Sequence, residues 1–471
     1  MPQLEIPFRQ WLPDQPDLNN PGLVEAKNVF LRSDGYQPIR DASSGSGDAL
    51  DWEKEFGLYG LSPVYLYTHE NTIYSVGTGG FIVTSFVFAP DANYEYADFA
   101  RFGDSVYIVA ADGSLDSLPG SSAPHDLFKF DGSSFSAVSG NIPAGTSIAR
   151  VGNQLVMGRV DDSGYNDFAI RLSGYNQPDI WEPSELTQAN IAEMEQAKLG
   201  PVIAVVGGVA PMIFQSEGIT RINYVGPPLV LSQRLIWSRP GPQHPNAIVQ
   251  VGNLYYFVTQ EGAWVTDGSS VQSISDGSVS RWISGKMTNR STVVYGSYHR
   301  DKKAIVWGIG GGSTEPFAAA LVYSLETRAF SEIDGNYYGS ARGELIEERK
   351  DVRAVVPQSG VLSNSKLTDL SGSTLEATLT TGHISNAGSR AFVDQVEPQY
   401  IGSGATVALS AKQRLRDNAS FSSYVAEETT TGIADIRAEG RAVATSMKFP
   451  ASSNWSDFTG VVADASEAGK R

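Results

Sequence analysis

The chain has 471 residues, 35 Lys and Arg against 52 Asp and Glu for a net charge of −17, and no Cys. The missing cysteines exclude a disulfide scaffold, Cys-ligated zinc and thiol catalysis, and the acidic balance argues against wrapping DNA or docking on anionic lipid, which need clustered Lys and Arg. A hydrophobic content of 41% with 10% aromatics belongs to a folded chain, and its length suits two or three domains, or one repetitive architecture with an appendage.

From the N-terminus, Met1 to Pro7 carries no basic start followed by an apolar stretch, so no secretory signal is expected there. Leu4 to Pro21 sets Ile6, Phe8, Trp11 and Leu12 among four prolines. Proline favours extended backbone and apolar side chains seek a partner, so residues 1–40 read as an arm. The arm either lies across a neighbouring subunit or folds back on its own propeller, and those four residues are the interface candidates. Leu23 to Ile39, with a strand-like Asn28-Val29-Phe30-Leu31 and an Asp34-Gly35 turn, is expected to complete and lock the last blade of a ring.

Short β signals follow, four to eight residues rich in Val, Ile, Tyr and Phe between Gly, Asp and Ser turns. Val64–Tyr67, Thr72–Val76 and Gly80–Val83 predict a three-strand meander. Phe102-Gly103-Asp104-Ser105-Val106-Tyr107 is then echoed at Val151-Gly152-Asn153, Val206-Gly207-Gly208, Val251-Gly252-Asn253 and, more loosely, Tyr295-Gly296-Ser297, with glycines 49, 55, 45 and 44 residues apart. Asp112-Gly113, Glu217-Gly218 and Glu261-Gly262 supply a second turn in three copies. A period near 45 residues carrying three or four strands is that of a β-propeller blade, a sheet that buries both faces against its neighbours. The expected architecture is therefore all-β, a propeller of about six or seven blades over residues 41–375, with the seventh near Val352 to Ser371. A stack of sandwiches with recurring hairpins is the competing arrangement.

The spacing of Leu186, Ala189, Met194 and Ala197, with Ser184 as a cap, predicts one helical insertion near 184–199. The longest apolar run, Val202 to Phe214, is broken by Gly207, Gly208 and Pro211 and is too short to cross a bilayer, so a soluble protein assembled in a cytoplasm is expected. Beyond Leu375 the alternation of Val443, Thr445, Met447 and Phe449 predicts a C-terminal β-sandwich-like module over 376–471.

Candidate chemistry is thin, and no catalytic, cofactor-binding or metal residue is assigned. His69, His125, His244, His299 and His383 show no paired ligand spacing. Gly308 to Ser313 is glycine-rich but lacks the Lys-Ser/Thr of a phosphate loop and reads as a hairpin tip. Asp161 to Asp167 has oxygen ligands at Ca²⁺-like spacing but lacks the loop length and the closing Glu of an EF-hand, and no Ca²⁺ site is assigned there. Asp179, Glu182 and Glu185 surround Trp181, an arrangement that a sugar-binding or glycosidic propeller would use, with Trp181 stacking on the sugar. The same carboxylates suit the N-terminus of the expected helix, and no enzyme activity is expected.

Five groups of residues run in a familiar order. They are Asn19-Asn20-Pro21-Gly22-Leu23-Val24-Glu25-Ala26-Lys27-Asn28-Val29 leading to Gly35-Tyr36-Gln37-Pro38-Ile39; Ser173-Gly174-Tyr175-Asn176-Gln177-Pro178-Asp179-Ile180-Trp181-Glu182-Pro183-Ser184; Phe214 through Gly226-Pro227-Pro228; Phe257-Val258-Thr259-Gln260-Glu261-Gly262 with Ser275-Asp276-Gly277; and Gly440-Arg441, Trp455 to Gly460 and Gly469-Lys470-Arg471. This combination resembles the tail hub or nozzle proteins of short-tailed, podovirus-like bacteriophages. The resemblance implies a structural virion protein, a β-propeller subunit of a homo-oligomeric, six-copy ring in the tail. Such a ring extends the DNA exit channel below the neck adaptor protein, contacts other tail or fibre proteins, and helps retain and pass the genome, with phage DNA only as passing cargo and no membrane contact. The stretch Thr187 to Leu199 departs from the pattern. The alternative is a carbohydrate-binding or glycosidic β-propeller attached to a tail, and a third reading is a scaffold for peptide partners.

Overall fold

The computed structural model describes residues 3–40, 58–61, 64–69, 72–77, 82–87, 94–112, 127–160, 168–194, 197–288, 292, 294–299, 302–310, 319–334, 353–357, 365–369, 372–385 and 389–467. Among these the chain is nearly all β, with one α-helix, Ser280–Lys286.

Among the described residues six four-stranded antiparallel units follow one another along the chain, five as separate sheets and the sixth as the first four strands of a longer one. Each is built from consecutive hairpins. The first runs from Leu58–Leu61 to Ile82–Val87 and the second from Tyr94–Phe102 to Phe135–Ala137; the third runs from Ser147–Val151 to Asn190–Glu193 and the fourth from Val202–Val206 to Val230–Trp237. The fifth spans Ile248–Val251 to Val271–Ser273, and the sixth Val294–His299 to Phe330–Ile333. The glycine-marked phrase is the first hairpin of a sheet: Gly103, Gly152 and Gly252 hold the turn at φ of 62°, 58° and 60°, where a Cβ would be disfavoured. Gly296 breaks the rule, because it lies inside the strand Val294–His299. A Cβ there would come within 2.4 Å of Val249 and 2.7 Å of the Trp307 ring, so this glycine admits the indole rather than making a turn.

The second strand of each sheet shows how the sheets meet. In Ser105–Asp112, Val106 and Ile108 pack on Leu66 and Ile73 of the first sheet, while Tyr107 and Val109 point the other way, onto Ile148 and Leu155 of the third. Val156 of the third sheet faces Val205 and Ile213 of the fourth; Met212 and Phe214 of the fourth face Tyr255 and Phe257 of the fifth; Tyr256 and Val258 of the fifth join Ile305 and Trp307 of the sixth. Period-two alternation thus gives each inner sheet two apolar faces, and each face is buried against the next sheet in chain order. A polar chain ties three of the first strands. Asp98 of the second sheet accepts from the Ser147 hydroxyl at 2.9 Å and the Ile148 N–H at 3.0 Å, and the same hydroxyl accepts from the Val205 N–H at 2.9 Å.

Three expectations change. The stretch 184–199 is not a helical insertion. Ser184 bridges Ala189, Gln188 takes φ of 61°, and Asn190–Glu193 is the last strand of the third sheet, leaving one short 3₁₀ turn at Ala197–Leu199. Pairing with Ala169–Leu172 satisfies this backbone better than an isolated helix would, and buries Met194. Secondly, residues 3–40 do not extend away from the chain but pair with it. Gln3–Pro7 pairs with Trp455–Glu467, Leu23–Lys27 with Ala377–Thr381, and Gly35–Pro38 meets Phe458. Thirdly, the C-terminal module is not separate. Leu23–Lys27 also touches the last strand of the sixth sheet at Lys27 and Glu332, so one ten-stranded sheet runs from the sixth repeat into the C-terminal module. Phe30 and Ile39 cover the outer face of that sixth sheet over Val306 and Val322. A hairpin, Arg353–Pro357 with Ser365–Asp369, lies where a seventh blade was expected.

Candidate functional site

The two longest sequence signatures, 173–184 and 214–228, come together on the surface where the third and fourth sheets meet. Residues 173–188 connect the last two strands of the third sheet and are pinned by their own backbone: the Gly174 N–H donates to Ile180, Tyr175 to Thr187, and Asn176 to Asn153. Trp181 is the anchor, 2% exposed among Leu155 and Met157. Its carbonyl accepts from the Arg171 guanidinium at 2.8 and 3.1 Å. With Trp181 turned inward, Ile180 and Leu186 turn outward, Leu186 at 95% exposure.

The hairpin tip between Gly218–Gly226 and Val230–Trp237 stands beside them. Tyr224 lies 5.7 Å from the Tyr175 ring, and its hydroxyl donates to Gln188 at 2.5 Å. Tyr224 to Leu229 is a six-residue run without charge, exposed at Val225 (53%) and Leu229 (64%). Val230 holds φ of 57° at the end of the tip, a conformation β-branched residues avoid. The result is an exposed apolar surface made of Leu186 and Ile180 on one segment and Val225 and Leu229 on the other.

Those carboxylates do not form a sugar site with Trp181, whose ring is buried. Asp179 accepts from the Tyr107 hydroxyl at 2.7 Å and sits 3.4 Å from the Lys129 ammonium; burial and this carboxylate push the Tyr107 phenol upward. Glu182 accepts from Asn141 at 2.7 Å, and Glu185 is exposed.

The N-terminal candidates lie inside the chain's own core. Ile6 pairs with Val461 in the sheet, and Phe8 packs edge-on against Phe458 at 4.8 Å. Trp11 donates to the Val24 carbonyl at 3.1 Å and meets Trp282 edge-on at 5.4 Å. Phe8, Trp11 and Leu12 are buried and Ile6 half-buried, against the C-terminal module at Val461 and Phe458 and against the end of the fifth repeat at Trp282. Beside them, Pro13, Asp14, Gln15, Pro16, Arg281 and Trp282 line a shallow cleft of about 400 Å³.

One constellation has no sequence signal, because its members are 366 and 27 residues apart. Asp17 receives the Lys412 ammonium at 2.6 Å and His383 Nδ1 at 2.8 Å, and His383 Nε2 is 3.0 Å from the Ser410 hydroxyl. The order Asp-His-Ser is that of a hydrolase triad. Here Ser410 is 1% exposed in a strand and Asp17 is held by a lysine, so the group works as a clasp that fastens residues 17–20 to the C-terminal module. Burial opposes ionisation of Asp17, but the bonds from Lys412 and His383 outweigh it and hold its carboxyl below the usual range.

Of the remaining histidines, His244 and His299 are buried, while His125 and the side chain of His69 lie outside the described residues. His244 Nδ1 accepts from the Asn246 N–H, and His299 is buried, which lowers its pKa to about 3. Among the described residues no three His, Cys, Asp or Glu gather as metal ligands, and no helix there is long and apolar enough to cross a membrane. Asp161 to Asp167, and Gly311 to Ser313 of the glycine-rich stretch, lie outside the described residues; Gly308 ends a strand with Ile309. Comparison of the chain with protein-family models and with curated proteins finds no match.

Proposed function

We propose that the chain is a structural virion protein, a subunit of the tail hub or nozzle ring of a short-tailed bacteriophage, whose six two-sided sheets close around a common axis as a β-propeller. In this reading the ring extends the DNA exit channel below the neck adaptor and helps retain and pass the genome. The observation that carries it is the convergence of the 173–184 and 214–228 signatures, far apart in residue number, on one exposed apolar face. A function borne by surfaces requires such a face, and a function borne by chemistry does not.

Two further features support the reading. The sheets bury both faces in chain order and their first strands are linked through Asp98 and Ser147, as blades around a centre are. A net charge of −17 repels phosphate, so an acidic conduit lets DNA slide where a basic one would grip it. The buried Trp181 ring and the engaged Asp179 give the glycosidic alternative no support.

A cryo-EM map of the intact particle tests this. The expected result is a ring of about six copies on the genome's path under the neck adaptor. A chain located away from that path, or sheets without a shared axis, overturns it.

A further inference from the structure

If copies of this chain form a ring, each must present two different surfaces that fit one another, since a head-to-tail contact closes a ring and a self-complementary one closes a dimer. Copies carrying −17 each also repel unless basic groups on one meet acidic groups on the next. The fold supplies one surface of each kind.

The first is the face described above. Residues 173–188 contain Asp179, Glu182 and Glu185 and no Lys or Arg; Asp179 is engaged by Tyr107 and Lys129 and Glu182 accepts from Asn141, while the exposed Glu185 directly precedes the exposed Leu186. The second lies in the C-terminal module, on the connection 413–424 between the strands Thr406–Lys412 and Val425–Ala426. There Arg414, Leu415 and Arg416 are exposed, Leu415 at 45%. Phe421 and Tyr424 stand exposed on the same connection. Asp417 is occupied in accepting from the Arg414 backbone N–H at 2.9 Å, and the guanidinium groups of Arg414 and Arg416 make no ion pair among the described residues. Two arginines without an ion pair among the described residues, beside exposed apolar side chains in a strongly acidic chain, suit an apolar partner surface that carries carboxylates.

We infer that the acidic apolar face, residues 173–188 with the tip Tyr224–Leu229, docks on the basic apolar connection 413–424 of a second copy of this chain. This rests on the ring proposed above and names its contact. Leu186 and Leu229 of one copy cover Leu415 and Phe421 of the next, while Glu182 and Glu185 meet Arg414 and Arg416. Each copy uses both surfaces, so the contact repeats head to tail.

Charge reversal on each side tests it in the full chain. E182R/E185R and R414E/R416E are each expected to fold and to assemble at least about tenfold more weakly than the native protein by sedimentation equilibrium. Mixed in equal amounts, the two variants are expected to regain native assembly, because every contact in an alternating ring then joins opposite charges. Native assembly untouched by either reversal, or no recovery on mixing, overturns this contact while leaving a ring intact. A native chain that stays monomeric in solution and is not found as a multi-copy ring in the particle overturns both the contact and the ring. Duplex DNA bound through Arg414 and Arg416, with assembly unaffected by R414E/R416E, also overturns it and assigns that surface to nucleic acid.

Discussion

The six repeated sheets and the module formed by the two ends of the chain are both all-β, yet they are assembled in opposite ways. In the repeats strands pair with their sequence neighbours, several of them across a tight turn, as Val151 does with Gln154 and Thr259 with Gly262. In the terminal module the pairings are Gln3 with Asp464 and Leu23 with Thr381. Local hairpins close small loops, whereas the terminal sheet must bring the chain ends together before any of its contacts form. The repeats therefore hold themselves sheet by sheet, and the terminal module stands or falls with its N-terminal strands.

The most severe way to break that contrast is to remove one large buried side chain from each region. Trp11→Ala and Phe128→Ala each delete a core aromatic and are expected to cost about 3–5 kcal/mol in chemical denaturation. Their consequences differ in place. Trp11 touches Trp282 and Val24 and so belongs to the seam between the fifth repeat, the N-terminal strands and the C-terminal module. Limited proteolysis of Trp11→Ala is expected to cut first within 376–467, and that of Phe128→Ala between the first two sheets, with the terminal module protected. Identical cleavage patterns in the two variants would show that the regions open as one unit.

A milder test acts on the clasp alone. Asp17→Asn removes the carboxylate that Lys412 and His383 share, and is expected to cost about 1–2 kcal/mol at neutral pH. Because the Asp17 carboxyl is held below its usual value, its contribution is complete above about pH 4 and is lost as pH falls through the lowered value. The gap in stability between native and Asp17→Asn protein should therefore narrow below pH 4. A gap that stays constant into acid would mean that Asp17 fastens the segment through its backbone bonds to His383 alone.

The contrast also explains what the residues disclose in advance. The repeats were legible because Gly103, Gly152 and Gly252 sit at the same left-handed turn, a local demand that leaves a local mark. The 184–199 stretch misled because Leu186, Ala189 and Met194 fall at helical spacing, whereas Leu186 is in fact a surface residue and Met194 is buried just after the edge strand Asn190–Glu193. Phe8 and Trp11 announce burial but not against what, since Phe458 and Trp282 are hundreds of positions away. The candidate face was visible in two pieces, and only the Tyr175–Tyr224 contact makes them one. Nothing near Asp17 in the chain announces His383 or Lys412.

The smallest expected effect separates anchoring from docking within a single connection. Trp181 and Leu186 are five residues apart, one 2% and the other 95% exposed. An exposed leucine contributes no burial to the folded monomer, so Leu186→Ser should leave the unfolding midpoint within about ±0.5 kcal/mol of native. If the side chain exists for a partner, the same substitution lowers association measured by sedimentation while thermal unfolding of the dilute protein is unchanged. A loss of monomer stability beyond that range would instead mean that Leu186 packs on its own chain in solution, and the apolar face would then be a closed surface rather than one awaiting a neighbour.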